Sequence, residues 1–482
     1  MKKLFLFILI ILLPEVLGAA PFRFLPYKIT QPDGTSIDCF VSGDEFFNWI
    51  HDADGYSIIQ AKDGYYYYAM KDGDEIVPSR HMVNRVSPES AGLEKWVIIS
   101  REKYLKKRER FEVPVKGGPE KAPHTGIVNN IVIYIRFKDE VETGTTREVY
   151  NNNLNDVKGV SLRTYYKEVS YDQLFIESTH YPDCPEPATT NTSYEDSHRR
   201  GYFQPYNETT NPIGYANETQ SREREHQLLV DAINWVKIYS PIPTSLDVDM
   251  DDDGFVDNIC FMINGESDGW SDLLWAHRWS LWSQTAYING KRVWDYTFQP
   301  EDQVSVRTLC HEMFHTLSAP DLYHYDDGGL DLDPVGRWDI MEHGSGHMGA
   351  YMKWKYADQN WISEIPEITT PGTYTLNPLT SPTNNCYKIF SPNSTNEFFV
   401  VEYRRKSGDY ESNVPGDGLL VYRINTDFRG NANFDNETIF DEVYIYRPGG
   451  GPTSNGIIGN AHFSSDLGRN RHAFSLTPPR SR

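Results

Sequence analysis

The segment His311-Glu312-Met313-Phe314-His315-Thr316-Leu317-Ser318-Ala319-Pro320-Asp321 constrains this chain more than any other. It contains HExxH, with an aspartate ten positions after the first histidine. Residues four apart share one face of a helix, so His311 and His315 can bind a single metal ion with Glu312 beside them. Two imidazoles and the Asp321 carboxylate suit tetrahedral zinc with one position left for water. The neighbouring residues fit a helix too: Cys310, Phe314 and Leu317 recur at i, i+4, i+7 as a core-facing stripe would. Pro320 stops the helix, which lets Asp321 swing back toward the metal. HExxH alone can arise by accident, and an acid at the tenth position makes the accident about tenfold rarer.

These residues imply a reaction. Glu312, next to the ligands but not one of them, would take the proton of a zinc-activated water and hand it to a leaving amine. The expected function is a zinc-dependent endopeptidase acting on protein or peptide substrates. The alternative is a catalytically inactive, exported, calcium-stabilised binding or adhesion protein on the same scaffold, and the intact His311, Glu312, His315 and Asp321 argue against it. A second open point is the third ligand, for which His324 competes with Asp321. Donors to the transition state could come from Tyr323, Tyr351, His343 or His347, and the sequence does not choose among them.

The longer pattern resembles the immune inhibitor A-like secreted zinc metallopeptidases, a metzincin-related family with HExxHxxGxxD. The likeness continues in Gly336-Arg337-Trp338-Asp339-Ile340-Met341, in 350–362 (AYMKWKYADQNWI) and in the segment from Asp272 to Ser280 (DLLWAHRWS). It implies that Met341 is the Met-turn residue forming a floor under the metal. This chain departs from the pattern once, with Ser318 where the family has glycine. A left-handed turn there would cost a serine on the order of 1 kcal/mol.

The chain is acidic, with 68 Asp+Glu against 46 Lys+Arg and a formal charge of −22, which argues against nucleic acid and anionic membranes as main partners. Its 31 Tyr and 11 Trp exclude a disordered composition. Residues 1–20 read as a signal peptide: Lys2 and Lys3, the apolar run from Leu4 to Leu13, then small residues Gly18, Ala19 and Ala20. Ten apolar residues are too few to span a bilayer, so the expectation is a secreted, extracellular protein without membrane insertion. Cys39, Cys184, Cys260, Cys310 and Cys386 are odd in number and widely spaced, which does not suggest a disulfide framework. Cys39 as a thiolate plug on the zinc is a minor alternative to core packing. Sequons occur at Asn191, Asn207, Asn217, Asn393 and Asn436, about as many as composition predicts.

The fold class expected is α+β: a zincin-like catalytic domain with a mixed sheet and an active-site helix, flanked by β-rich regions. Residues 21–100 read as short strands between Asp-Gly turns, and the family resemblance makes them a propeptide-like domain, hence a zymogen. Residues 101–125 read as a basic Pro/Gly linker open to activating cleavage. Residues 126–364 form the catalytic domain, with buried strands at 131–135 and 259–263 and an amphipathic helix at 222–237. Residues 365–482 turn β-like again; no terminating element is legible beyond about residue 468, as in a truncated or wrongly spliced end.

A second metal motif precedes the helix. Asp249, Asp251, Asp253 and Asp257, with the Phe255 carbonyl and Gly254 at the sharp turn, have the spacing of a calcium loop, although Cys260 replaces the closing glutamate. Asp252 completes five carboxylates within 249–257, which would repel each other without a cation. The resemblance supports a structural calcium ion there. A weaker acidic cluster, Asp326, Asp327, Asp331 and Asp333, reads as a solvated loop.

Overall fold

The computed structural model describes residues 22–44, 46–112, 118, 121–185, 189–266, 274–324, 332–431, 441–451 and 454–469. The expected signal peptide, Asp272, Asn436 and the acids Asp326, Asp327 and Asp331 lie outside the described residues.

Three layers of strand pairing organise an α+β chain. An antiparallel meander comes first: β1 (Phe22–Thr30), β2 (Ser36–Gly43), β3 (Asn48–His51), β4 (Ser57–Gln60), β5 (Tyr66–Asp72) and β6 (Glu75–Met82), paired in sequence order. The Asp-Gly turns work as glycine requires, with Gly55, Gly64 and Gly73 all at positive φ. Residues 101–112, expected as linker, instead form helix α1 (Arg101–Glu112). Lys, Arg and Glu are good helix formers. Tyr104 and Arg108, four apart, are both buried, and the Tyr104 hydroxyl donates to Asp44 Oδ2 at 2.6 Å.

The second sheet is the scaffold of the site. Its strands are β7 (Gly126–Arg136), β8 (Leu174–Tyr181), β9 (Tyr194–Glu195), β10 (Asn258–Ile263), β11 (His277–Ser280) and β14 (Asp295–Pro300). The order is β11-β14-β10-β7-β8, parallel except for the antiparallel edge strand β11, with β9 continuing beside β7. A small hairpin, β12 (Ala286–Ile288) and β13 (Lys291–Val293), precedes β14. Both faces are covered, so β7 and β10 read as continuous apolar runs. Their side chains alternate between two cores. Val132, Tyr134, Cys260 and Met262 face one; Ile131, Ile133, Ile259 and Phe261 face the other.

Helix α4 (Glu218–Tyr239) covers the second core with Leu228, Leu229, Ala232, Ile233 and Val236, the face read from the sequence. The first core receives α2 (Arg147–Asn155), α3 (Leu162–Val169), α5 (Val306–Thr316) and α6 (Ala350–Lys355). It also receives the third sheet, the antiparallel series β15 (Cys386–Phe390), β16 (Glu397–Arg404), β17 (Gly418–Asn425) and β18 (Val443–Ile445). Val400, Leu420 and Ile424 lie in the same apolar cluster as Phe314 and Met341, so packing does not stop at residue 364.

Candidate metal centre

Helix α5 begins where Ser305 accepts a hydrogen bond from the Thr308 amide at 3.1 Å, an N-cap. Its stripe of Cys310, Phe314 and Leu317 is fully buried. Tyr166 of α3 donates to the Cys310 carbonyl at 2.6 Å, and the Trp361 ring stacks on Phe314. The end of the helix aims Asp321. Ser318 N–H bonds the His315 carbonyl and Ala319 N–H bonds the Phe314 carbonyl, at 2.8 and 2.9 Å. This is a Schellman ending with Ser318 at C′. Ser318 accordingly has φ of 78°, the left-handed conformation that the sequence reserves for glycine.

His311, His315 and Asp321 meet. His311 Nε2 lies 3.1 Å from His315 Nε2, and Asp321 Oδ1 lies 3.3 and 3.2 Å from the two. A tetrahedral zinc with ligands at about 2.0–2.1 Å has edges of about 3.3–3.4 Å, so the triangle has the size of one zinc face. Each imidazole is oriented by its other nitrogen. His311 Nδ1–H donates to the Ile340 carbonyl at 2.9 Å and His315 Nδ1–H to the Ala319 carbonyl at 2.7 Å, leaving both Nε2 lone pairs facing inward. Asp321 Oδ1 is buried without a hydrogen-bond partner. Burial opposes its ionisation, yet the adjacent imidazoles hold the carboxyl below the ordinary range; burial would lower His315, but Asp321 carries it up to about 9. The donor set fits a dication. Glu312 is buried beside the triangle and is not one of its three members.

His324, the competing third ligand, is engaged elsewhere: its Nε2 bonds Asp441 Oδ1. The turn under the ligands is built from Asp339, which accepts from Met341 N and Gly349 N at 2.9 and 2.7 Å; burial pushes its carboxyl up to about 6. Met341 is fully buried, and its carbonyl accepts from Leu322 N. Of the candidate transition-state donors, Tyr323 is buried, and so is Tyr351. The Tyr351 hydroxyl donates to Glu442 Oε1 at 2.9 Å inside the core shared with the third sheet. His347 bonds Glu168 and Lys353, and His343 lies beside Asp333. Cys39 is buried in the first sheet, donates to the Tyr27 carbonyl, and burial pushes its thiol up to about 11, so no thiolate plug is formed.

Several supports were not legible in the sequence. Gly430 N–H donates to Glu442 Oε2, Asn431 N–H to the Asp321 carbonyl, and Asn431 Nδ2 to the Leu322 carbonyl. Arg404, fully buried, donates to the carbonyls of Trp338 and His347 at both ends of the Met341 turn. These contacts join residues about a hundred or fewer positions apart through tertiary packing, and nothing local announces them.

In the acidic loop, Asp249, Asp251 and Asp257 come within 4.8 Å of one another. Gly254 has φ of 93° at the expected turn. Asp253 Oδ1 instead accepts from Phe255 N, and the sequence reading missed Lys291, whose amine bonds Asp249 Oδ2. Burial, with Asp251 and Asp249 nearby, pushes Asp257 up to about 7.

Residues 249–355 match the family described as immune inhibitor A peptidase M6, catalytic domain. Over this segment the chain is similar to the immune inhibitor A metallopeptidases. Two solved structures are also similar. Wild-type OgpA from Akkermansia muciniphila is 10% identical, covering 67% of this chain and 90% of that one with a TM-score of 0.27. Metalloproteinase-II from Bacteroides fragilis is 12% identical, covering 69% and 84% with a TM-score of 0.24. No curated protein matches the chain.

Proposed function

We propose that the chain is a secreted, zinc-dependent endopeptidase that hydrolyses peptide bonds in extracellular proteins, with Glu312 as general base. The observation that carries the reading is the triangle of His311 Nε2, His315 Nε2 and Asp321 Oδ1, with edges of 3.1 to 3.3 Å. Zinc, when bound, supplies Lewis acidity for a scissile carbonyl and for the attacking water. Glu312 receives the water's proton and delivers it to the leaving amine. The Ile340 and Ala319 carbonyls keep both imidazoles in the tautomer that leaves Nε2 available. Asp249, Asp251 and Asp257 would hold a structural calcium ion, with Lys291 lowering its affinity by occupying Asp249. Secretion rests on the leader-like composition of residues 1–20. Among the described residues no helix is long and apolar enough to cross a membrane.

Residues 21–100 would act as a latency segment. The centre is nearly closed: His311 is 1%, Glu312 2% and Asp321 1% exposed, and the His315 side chain alone of the four keeps partial access, at 13%. The first sheet is attached to the rest of the chain at several points. Trp275 packs in its core, Asn207 and Thr209 donate to the carbonyls of Ala61 and Lys62, Arg23 pairs with Asp333, and Asp44 feels the charge of Asp321.

The decisive experiment is casein hydrolysis by Glu312→Ala, assayed after the latency segment has been cut away. We expect hydrolysis to fall at least about a hundredfold, as loss of a general base does, with the zinc content of the wild type retained. Casein cleavage that survives the substitution would sink the mechanism.

A further inference from the structure

Glu342 and His343 directly follow the Met-turn residue, yet they gather around Asp333. A carboxylate oxygen from each acid and an imidazole nitrogen of His343 lie within 4.8 Å of one another, with His343 Nε2 3.6 Å from Asp333 Oδ1. Glu342 is 0% exposed. Its Oε2 accepts the amides of Val335 and Gly336 at 2.7 and 2.5 Å, while Oε1 is buried with no hydrogen-bond partner. Asp333 Oδ2 is occupied by Asn455 Nδ2 at 2.8 Å, which leaves Oδ1 for the imidazole side. A fully buried carboxylate facing a second one needs a shared proton or a cation. Arg23, 3.9 Å from Asp333 Oδ1, serves Asp333 and leaves Glu342 Oε1 unsatisfied.

We propose that Asp333, Glu342 and His343 form a second divalent-metal site, separate from the zinc triangle, for a first-row transition ion. One imidazole nitrogen with two carboxylate oxygens suits zinc, manganese or cobalt, whereas calcium takes oxygen ligands alone. Burial of Glu342 gives the site a low-dielectric floor. Asp333 and His343, with side chains 17% and 24% exposed, leave an entry path and room for water as a further ligand. Nearby guanidiniums work against a cation. Arg307 donates to the carbonyls of Glu342 and Gly344, Arg447 donates to those of Pro334 and Ile445, and Arg337 also adds positive charge around His343. The second site is therefore weaker than the first, and Arg23, a residue of the first sheet, competes with the ion for Asp333. The proposal does not depend on the peptidase reading.

The test counts metal in the full-length chain. Protein held in excess calcium, so that the acidic loop is filled, is equilibrated with zinc, desalted and analysed by mass spectrometry of the metal. Wild type should carry one zinc more than His343→Ala, and His311→Ala should keep a single zinc. Cobalt(II) added to His311→Ala should give visible ligand-field bands that disappear in the His311→Ala/His343→Gln double variant, a readout that needs no activity and tolerates failure of one substitution to fold. Wild type with a single zinc, or cobalt bands indifferent to His343, would overturn the site and leave Asp333 and Glu342 as a proton-sharing pair.

Discussion

Ser318 is the residue at which this chain departs from the pattern it otherwise follows, and the structure shows the helix ending as if glycine were present. The φ of 78° is imposed by the two hydrogen bonds of Ser318 and Ala319 back to α5, and those bonds point Asp321 at the histidines. A Cβ in that conformation costs on the order of 1 kcal/mol, partly offset by the greater unfolded-state freedom of glycine. Ser318→Gly should therefore raise stability by about 0.5–1 kcal/mol, read from urea denaturation, with zinc content unchanged. A destabilised variant would mean that the serine side chain contributes something the geometry does not reveal. The identity of the third ligand has its own check. Asp321→Asn should lose one zinc relative to wild type, while His324→Asn, whose imidazole is paired with Asp441, should lose none; the reverse result would exchange their roles.

At the scale of elements, legibility followed locality. The stripe of α5, the apolar runs of β7 and β10 and the face of α4 could be read because each periodicity is complete within a dozen residues or so. Helix α1 was misread because its basic residues looked like a solvated spacer; only the burial of Tyr104 and Arg108 against another segment reveals its second face. The braces of the metal centre were invisible for a stronger reason: Asn431 and Gly430, whose amide Glu442 holds, meet Asp321 only through the packing of the third sheet on the first core. A Cβ built at Gly430 would sit 2.7 Å from the Asp321 carbonyl, and its φ is 75°. Gly430→Ala should thus displace the ligand turn and weaken zinc about 10–100-fold, the usual cost of disturbing a metal's outer shell, measured by competition with a chromophoric chelator. Unaltered zinc affinity would show that the turn is held from the α5 side alone. A different brace ties α4 to the edge strand, where Glu225 lies 3.1 Å from His277 inside the sheet. Burial opposes both charges, but each holds the other: His277 is raised above its ordinary value and Glu225 lowered below its own. The His277 contribution is full below about pH 6.5 and is lost as pH climbs through the raised value; that of Glu225 is full above about 4.5 and is lost on acidification. His277→Gln should accordingly cost more stability at pH 5.5 than at pH 8.5, compared with wild type by thermal melting; a pH-independent difference would mean that the pair is not charged.

The whole molecule raises the question of what the first sheet does to a centre in which His311, Glu312 and Asp321 are all but fully buried and His315 is only partly exposed. Among the described residues, its contacts with the rest include side-chain bonds from Asn207 and Thr209, the Arg23–Asp333 pair and the seating of Trp275, and helix α1 adds the Lys107–Glu218 pair. An attachment of this kind resembles an inter-domain interface that can part once the covalent link is cut. Latency therefore predicts that a specific protease site placed at residues 113–117 of the full-length chain will raise peptide turnover at least about tenfold after cutting and separation of the fragments. The position of the cut matters, because the residues just after it brace the end of helix α5. Ala122 N–H bonds the Thr316 carbonyl, the His124 imidazole bonds the Leu317 carbonyl at 3.1 Å, and Trp361 in turn donates to the His124 carbonyl at 2.7 Å. Those carbonyls close the last turn of α5, which is otherwise left with unsatisfied acceptors. Trimming that continues to residue 126 should then undo part of the gain, destabilising the helix end by about 1–2 kcal/mol and loosening zinc, whereas a chain beginning at residue 121 keeps both. Equal turnover before and after the cut at 113–117 would remove the latency role from the first sheet and make it a permanent accessory; equal activity of chains beginning at 121 and at 126 would show that the Ala122–His124 segment is dispensable to the centre.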